Sequence, residues 1–360
     1  MKIALVITGL DFGGAEAQVV RMAIEYKRRG HFVTVISLTP PKQYAEHLKS
    51  LEIDVFSINL GNLTCVYREV LSYILYVRRL SPDVVHAHMF HANVFTRLMR
   101  PICDTHFLIS TAHSTREGGR LRELVYTLTK NIPDLTTNVS RKSLELYEQK
   151  KLILKSKSRS IPNGIYSRLL SKRRVRSEQN IFTFLAVGRI VWDKDYPNLI
   201  WAAKLLSIQG YDFRVLIAGD GELRQEVDEL INNLGLGERV VTLGLTREVY
   251  KLMDESNVFV MSSQNEGLPM ALLEAATSAM PCVVTDVGGN SEIVRNGIDG
   301  FVVPPHNPFA LAYYMSSFIR MNSDEMFDMG NRLKNRVDTL YGIDAIIDIW
   351  LQVYESRSGR

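Results

Sequence analysis

Short apolar runs, each followed by a segment of helical length, recur along this chain in two separate series. The first series has runs at Lys2 to Thr8, Phe32 to Leu38, Val55 to Ile58, Val84 to Ala87, Phe107 to Thr111 and Leu135 to Val139. After a polar, basic interval from Ser167 to Asn180, the second has runs at Ile181 to Val187, Phe213 to Ala218, Val240 to Leu243, Val258 to Met261, Cys282 to Thr285 and Phe301 to Val303. Strand-like runs that alternate with helices make βαβ units and a parallel sheet, so two series imply two doubly wound α/β halves. A chain of 360 residues is long enough for two cores. The expected domains are 1–170 and 177–342, joined near SKRRVRSEQN, where few side chains are able to enter either core. A last helical pattern, Ile343 to Tyr354 within 343–360, follows the second half and is able to pack on the first.

No apolar run reaches the roughly 18 to 20 residues of a membrane span. The start, MKIALVITGL, reads as a first strand, since it lacks a cleavage site and Gly-Gly follows closely. Three distant cysteines, Cys65, Cys103 and Cys282, fit a reduced cytoplasmic setting. The net charge of +4 hides an asymmetry: 28 Lys and Arg stand against 14 Asp and Glu through residue 176, and 15 against 25 after it. The two halves therefore face different electrostatic partners.

The stretch from Asn257 to Met280, NVFVMSSQNEGLPMALLEAATSAM, joins a strand to a helix through a polar loop. In open α/β sheets ligands lie outside the carboxyl ends of strands, where a helix N-terminus offers free N–H groups to an anion. Pro269 suits the first helical position, because its missing N–H would be unpaired there anyway. Glu266 lies in the loop and Glu274 about a turn and a half into the helix, a separation that suits two different hydroxyl pairs, since a carboxylate accepts several O–H donors. Glu-x(7)-Glu in the form EGLPMALLE, followed by PCVVTDVGGNSEIV, resembles the signature of the family-4 retaining glycosyltransferases with the GT-B fold. The likeness extends over nearly the whole chain and is strongest from Phe182 to Pro304. It implies two Rossmann-like domains facing a central cleft that holds a nucleotide-sugar. Glu274 would take the ribose hydroxyls and Glu266, with Gly267 and Leu268 beside it, the donor sugar. Retention of anomeric configuration, and the lack of any cofactor or metal, are implied in the same way.

The remaining motifs follow strand ends. In TGLDFGGAE (8–16) the glycines are not spaced G-x-G-x-x-G, which removes support for a dinucleotide. Gly13 and Gly14 fit either a tight turn with positive φ or a bare backbone that approaches a phosphate or sugar. The GGAE form resembles the family's first-domain loop and favours donor contact, with Glu16 on the acceptor side. In DVVHAHMFH (83–91), His86 and His88 share a strand face, yet no carboxylate or cysteine completes a metal set with His91. His88 resembles a residue of the family's interdomain cleft. In STAHSTREGG (110–119), His113 is placed to hydrogen-bond a donor-sugar hydroxyl, with Arg116 on the acceptor side. In AVGRIVWDKD (186–195), Arg189 as a bidentate fork and Lys194 as a point charge suit a diphosphate. Asp193-Lys-Asp195 also spells a metal motif of a different glycosyltransferase fold. Here Lys194 is needed for phosphate, so no metal is expected; family members usually read Lys-Gly where this chain has Lys194-Asp195. AGDGE (218–222) is expected near the phosphates and Arg247 of LGLTR (243–247) against the base. IPNGI (161–165) reads as a hinge turn, with Tyr166 where the family usually has aspartate.

These features predict transfer of a sugar, UDP-linked, to a polyprenyl-diphosphate-linked saccharide in bacterial surface polysaccharide assembly (O-antigen, capsule or exopolysaccharide). His113, Arg189, Lys194 and Glu266 would carry the catalysis, which asks mainly for stabilisation of charge on the departing diphosphate. No glycosidase-spaced carboxylate pair is present to support hydrolysis. The basic first half reads as a surface for anionic lipid at the inner face of the cytoplasmic membrane, each near-surface cation worth on the order of 1 kcal/mol. Tyr67, Tyr73 and Tyr76, with Arg68, Arg78 and Arg79, suit either an interfacial helix or core packing. No nucleic-acid recognition module is visible. Two other readings stay open: a nucleotide-sugar epimerase of the same two-domain shape, and an inactive scaffold in a polysaccharide assembly complex.

Overall fold

A computed structural model describes residues 1–11, 13–40, 43–62, 64–116, 118–169 and 181–358. The linker stretch SKRRVRSEQN lies outside the described residues. The chain divides into two compact units, Met1–Gly164 with Ile343–Arg360, and Ile165–Gly342.

The first unit holds a parallel sheet of β1 (Lys2–Ile7), β2 (Phe32–Ser37), β3 (Asp54–Ser57), β4 (Val84–His88), β5 (Leu108–Ala112), β6 (Leu135–Asn138) and β7 (Ser158–Ser160), in the order β3-β2-β1-β4-β5-β6-β7. The second holds β8 (Phe182–Val187), β9 (Phe213–Ala218), β10 (Val240–Gly244), β11 (Val258–Met261), β12 (Cys282–Thr285) and β13 (Phe301–Val303), in the order β10-β9-β8-β11-β12-β13. Central strands such as KIALVI and VFVM are buried along nearly their whole length, because helices cover both sheet faces and leave no wet side to alternate towards. Strand β7, Ser-Arg-Ser, has no apolar run. It sits at a sheet edge, where pairing needs only backbone groups, and hydrophobic periodicity does not mark it.

In each sheet the strand order reverses direction once, between β1 and β4 and between β8 and β11. At such a switch point the two neighbouring crossovers leave to opposite faces and open a crevice at the carboxyl ends. Those two crevices fix where chemistry is able to occur.

The helix Ile343–Ser358 belongs to the first unit. Ile346, Ile347, Trp350 and Tyr354 are buried with β1 and the helix Gly14–Arg28. The Tyr354 hydroxyl meets Tyr26 at 3.0 Å and His86 Nδ1 at 2.7 Å, and Arg28 pairs with Asp344 at 2.5 Å. That ion pair is exposed and contributes little beside the buried apolar face. Gly164 packs closely on this helix: a Cβ there would lie 2.5 Å from Ile343 Cδ1 and 3.1 Å from Ile343 Cα. In the second unit Ile165 N–H donates to Tyr341 O at 2.8 Å, so the two places where the chain changes units lie side by side. Among the described residues no helix is long and apolar enough to cross a membrane. Truncating Trp350 to alanine should cost about 3–5 kcal/mol, as for other fully buried aromatics, and lower the urea midpoint of unfolding; an unchanged midpoint would show that this helix is not part of the first unit's core.

Candidate active site

The second unit's crevice is built by two loops that bond to each other. After β8 the chain runs through Gly188 and Arg189 into a short turn, Trp192–Lys194, and Asp195 then adopts φ 45° and ψ 50°. This left-handed position explains how Asp195 stands where the family usually has glycine: aspartate tolerates it. The Asp195 side chain accepts from Asn198 N at the start of the helix Tyr196–Ile208 and meets His306 Nδ1 at 2.8 Å. The loop after β11 zips onto this turn. Gln264 and Asn265 N–H both donate to Asp193 O, Asn265 Nδ2 donates to Asp193 Oδ1 at 2.9 Å, and Ser262 Oγ donates to Lys194 O at 3.0 Å.

The zip delivers one contact. Lys194 Nζ donates to Glu266 Oε1 at 2.6 Å, and Ser263 Oγ donates to the same oxygen at 2.7 Å. Glu266 is only 9 % exposed. Its second oxygen, Oε2, has no partner among the described residues. The pair therefore offers one carboxylate oxygen to incoming hydroxyls and an ammonium with donors to spare. Burial first, and the Glu266 charge second, push the Tyr196 phenol well up, so it stays protonated and donates to Gly188 O at 3.0 Å. The two carboxylates of Asp193-Lys-Asp195 are bonded to different partners, Asn265 and His306. Among the described residues no group of three or more His, Cys, Asp or Glu is placed to hold a metal.

Glycines let neighbouring loops support this centre. Gly288, at φ +50°, lies so close to the acidic loop that a Cβ would meet Glu266 O at 2.1 Å, and Gly289 N–H donates to Gly267 O at 2.7 Å. On the other side Gly219 closes on the Arg189 loop: a Cβ would meet Gly188 O at 1.9 Å, and Ile190 N–H donates to Asp220 O. The AGDGE loop thus braces the backbone that carries Arg189. Arg189 and Arg247 are exposed, and neither side chain has a partner among the described residues. Leu268 is buried at the loop's end. Pro269 is the N-cap rather than the first helical residue: its ψ of 123° is extended, and its carbonyl accepts from Leu273 N to open the helix Met270–Thr277. Glu274 lies half-buried within that helix.

In the first unit, the residues singled out gather at the carboxyl ends of three adjacent strands, β1, β4 and β5. Gly13 caps the helix Gly14–Arg28 at φ −172°, a conformation open to any residue. A Cβ there would lie 2.2 Å from Glu16 Oε2, the end of a flexible side chain that is able to turn aside; as placed, that carboxylate folds back over the cap as N3 glutamates do. His88 is buried at the end of β4, and its Nδ1 lies 3.1 Å from Nε2 of His113, just past β5. Burial lowers the pKa of His113 to about 4 and that of His88 well below its usual value, with the His86 and His113 rings as further causes for His88. Both rings are neutral at pH 7, so one hydrogen is shared between the two facing nitrogens. The His86 ring packs 4.0 Å from that of His88 but hydrogen-bonds elsewhere, to Tyr354 and to Thr111 Oγ1 at 2.6 Å. His91 is exposed on the helix Phe90–Cys103, and Arg116 is exposed in the loop after His113. Gly288 belongs to PCVVTDVGGNSEIV, whereas Ser263 and Asn265 were not singled out from sequence. Their signal is position alone, polar residues within a few places of a strand end.

Two family models match consecutive parts of the chain: Glycosyltransferase Family 4 over residues 12–167 and Glycosyl transferases group 1 over residues 168–336. Among curated proteins, the chain is 23 % identical over 315 residues to the UDP-Gal:alpha-D-GlcNAc-diphosphoundecaprenol alpha-1,3-galactosyltransferase of Escherichia coli, covering 81 % of this chain and 80 % of that one. It is 27 % identical to the putative glycosyltransferase EpsF of Bacillus subtilis, covering 79 % of each. Among solved structures, Anabaena Alr3699/HepE in complex with UDP-glucose superposes with a TM-score of 0.86 at 19 % identity, over 99 % of this chain and 100 % of that one, a likeness of fold. Since the two matches together span residues 12–336 and the fold agrees along the whole chain, the protein belongs to the family-4 glycosyltransferases of the GT-B class.

Proposed function

We propose that this protein transfers a sugar, with retention of anomeric configuration and without a metal, from a UDP-linked donor to a polyprenyl-diphosphate-linked saccharide in bacterial surface polysaccharide assembly. The observation that carries this reading is the Lys194–Glu266 pair at the switch point of the second unit, with Glu266 Oε2 left open. Lys194, together with Arg189, suits the diphosphate; Glu266 suits the donor-sugar hydroxyls and Glu274 the ribose. As the glycosyl bond breaks, negative charge grows on the departing diphosphate, and cations already fixed in place stabilise it without reorganising. The relative from Escherichia coli is named for a UDP-sugar donor and a diphosphoundecaprenol acceptor, which supports the same pairing here. The basic first half, 28 Lys and Arg against 14 acids through residue 176, favours a lipid-linked acceptor at an anionic membrane surface. In the first unit, likeness to the family supports a donor role for His113, Gly13 and Gly14 and an acceptor role for Glu16, His88 and Arg116.

The test is release of nucleoside diphosphate by purified protein, given a panel of UDP- and GDP-sugars with lipid-linked acceptors. Glu266→Gln and Lys194→Met should each lower kcat by about 10²- to 10³-fold. Activity no higher than that of Glu266→Ala across the panel would overturn the enzyme reading, and acceptor-free epimerisation of the donor sugar, seen by NMR, would replace it. NMR of the new anomeric centre tests retention, and an unchanged rate in EDTA tests metal independence. The pH profile has a definite sign. His113, lowered to about 4, is neutral through the working range and gains a proton only on strong acidification. kcat/KM should therefore show no histidine inflection between about pH 5.5 and 7.5 and should fall below about 5; a fall centred near the ordinary histidine value would show that His113 is solvated, and no fall on acidification would show that it is unused.

A further inference from the structure

Three neighbouring helices of the first unit, Val66–Leu80, Phe90–Cys103 and Arg120–Thr129, pack side by side over one sheet face. Each buries one stripe: Tyr73 and Val77 on the first, Ala92 and Arg97 on the second, Tyr126 and Thr129 on the third. Bonds across the row fix it, with Arg78 donating to Ile102 O at 2.7 Å and Arg97 to Thr129 Oγ1 at 3.0 Å. The opposite faces of amphipathic surface helices are normally polar. Here they are not. On the third helix Leu121, Leu124 and Leu128, spaced i, i+3 and i+7, are 75, 53 and 72 % exposed. On the first, Tyr67, Leu71 and Leu75, spaced i, i+4 and i+8, form a second exposed stripe, and Leu98 and Ile102 stand out from the helix between them. Single exposed leucines need no explanation; contiguous ones mark an interaction surface.

The charges around these stripes decide the partner. Arg68, Arg79 and Arg120 are exposed and have no ion pair or hydrogen bond among the described residues. The two acids carried by the three helices are both engaged, Glu69 by Asn59 N–H at 3.1 Å and Glu123 by Lys150 at 2.5 Å. Among the described residues, the three helices thus present leucines and a tyrosine with unpaired arginines beside them and no unengaged carboxylate of their own. A second copy of this chain fits poorly, because a twofold contact would set these arginines against their own kind. An interface of acyl chains below anionic headgroups fits both features: apolar side chains enter the hydrocarbon boundary while long cationic ones reach the phosphates.

We propose that the outer face of these three helices is the surface by which the protein docks on an anionic lipid bilayer, with Leu121, Leu124 and Leu128 inserted and Arg68, Arg79 and Arg120 on the headgroups. The proposal deepens the reading of a lipid-linked acceptor given above. Of the two readings that the aromatic spacing left open, core packing holds for Tyr73, which is buried, and for Tyr76, which stacks on Phe56 and bonds Thr34; Tyr67 alone reaches outward.

Docking is measured by co-sedimentation of the full chain with phosphatidylglycerol-containing and pure phosphatidylcholine vesicles, without substrate, so that its outcome is independent of any catalytic assay. Binding to the anionic vesicles alone is expected, weakening as salt rises. The combined Leu121→Ser, Leu124→Ser, Leu128→Ser variant should bind at least tenfold more weakly with an unchanged Tm, as these side chains are exposed. Arg68→Gln, Arg79→Gln and Arg120→Gln together should remove the salt dependence. Wild-type binding by the serine variant, no binding of the wild type to anionic vesicles, or a dimer that the serine substitutions convert to monomer while vesicle binding persists, would each overturn the proposal.

Discussion

The bond between Lys194 Nζ and Glu266 Oε1, 2.6 Å long, is where the second unit's architecture becomes chemistry. Taking an ammonium and a carboxylate largely out of water is costly, and the attraction between them offsets that cost only when geometry is held and the remaining valences are used. The surrounding backbone supplies that geometry. Asp193 O receives two N–H groups from the acidic loop, and Gly288 allows a second loop to close from the other side. Because β8 and β11 are neighbours only at the switch point, the loops that follow them are the ones that are able to meet this way.

The first unit follows the same logic with neutral groups. Its switch point sets the loop after β1 beside the end of β4, and β5 brings His113 to His88. Burial keeps both rings uncharged, so the first unit's strand ends offer hydrogen bonds and a helix cap, whereas those of the second unit offer fixed charge. The helix Ile343–Ser358 reaches the same region from the chain's far end: Tyr354 bonds His86, whose ring lies 4.0 Å from that of His88. The unit's core is thus completed by residues more than 300 positions away in sequence from β1.

The two sheets, the order of their elements and the strand-end motifs were legible in the sequence, because buried parallel strands are continuous apolar runs and ligand loops follow them. Strand β7 was not, since its three residues carry only backbone information. Glu266, Lys194 and Arg189 were nameable from residue type and place. That Lys194 rests on Glu266, with Arg189 exposed and without a partner among the described residues, was not, because the pairing depends on a zip made by main-chain atoms. Asp195 shows the same limit: an apparent departure from glycine proves to occupy a left-handed position that aspartate tolerates. Gly13 shows the converse, a glycine at an extended φ that any residue adopts. The exposed leucines were equally hidden, since periodicity reports an amphipathic helix without saying which face is covered.

In the proposed function the two members of the central pair serve different parts of one ligand, the cation the diphosphate and the carboxylate the sugar. Calorimetry that compares UDP with the preferred UDP-sugar, on wild type, Lys194→Met and Glu266→Gln, separates those assignments. Lys194→Met should weaken both ligands, whereas Glu266→Gln should weaken the UDP-sugar and leave UDP unchanged or tighter, since it frees Lys194. Equal weakening of UDP by the two substitutions would show that the pair acts as a structural unit and would contradict the division of roles.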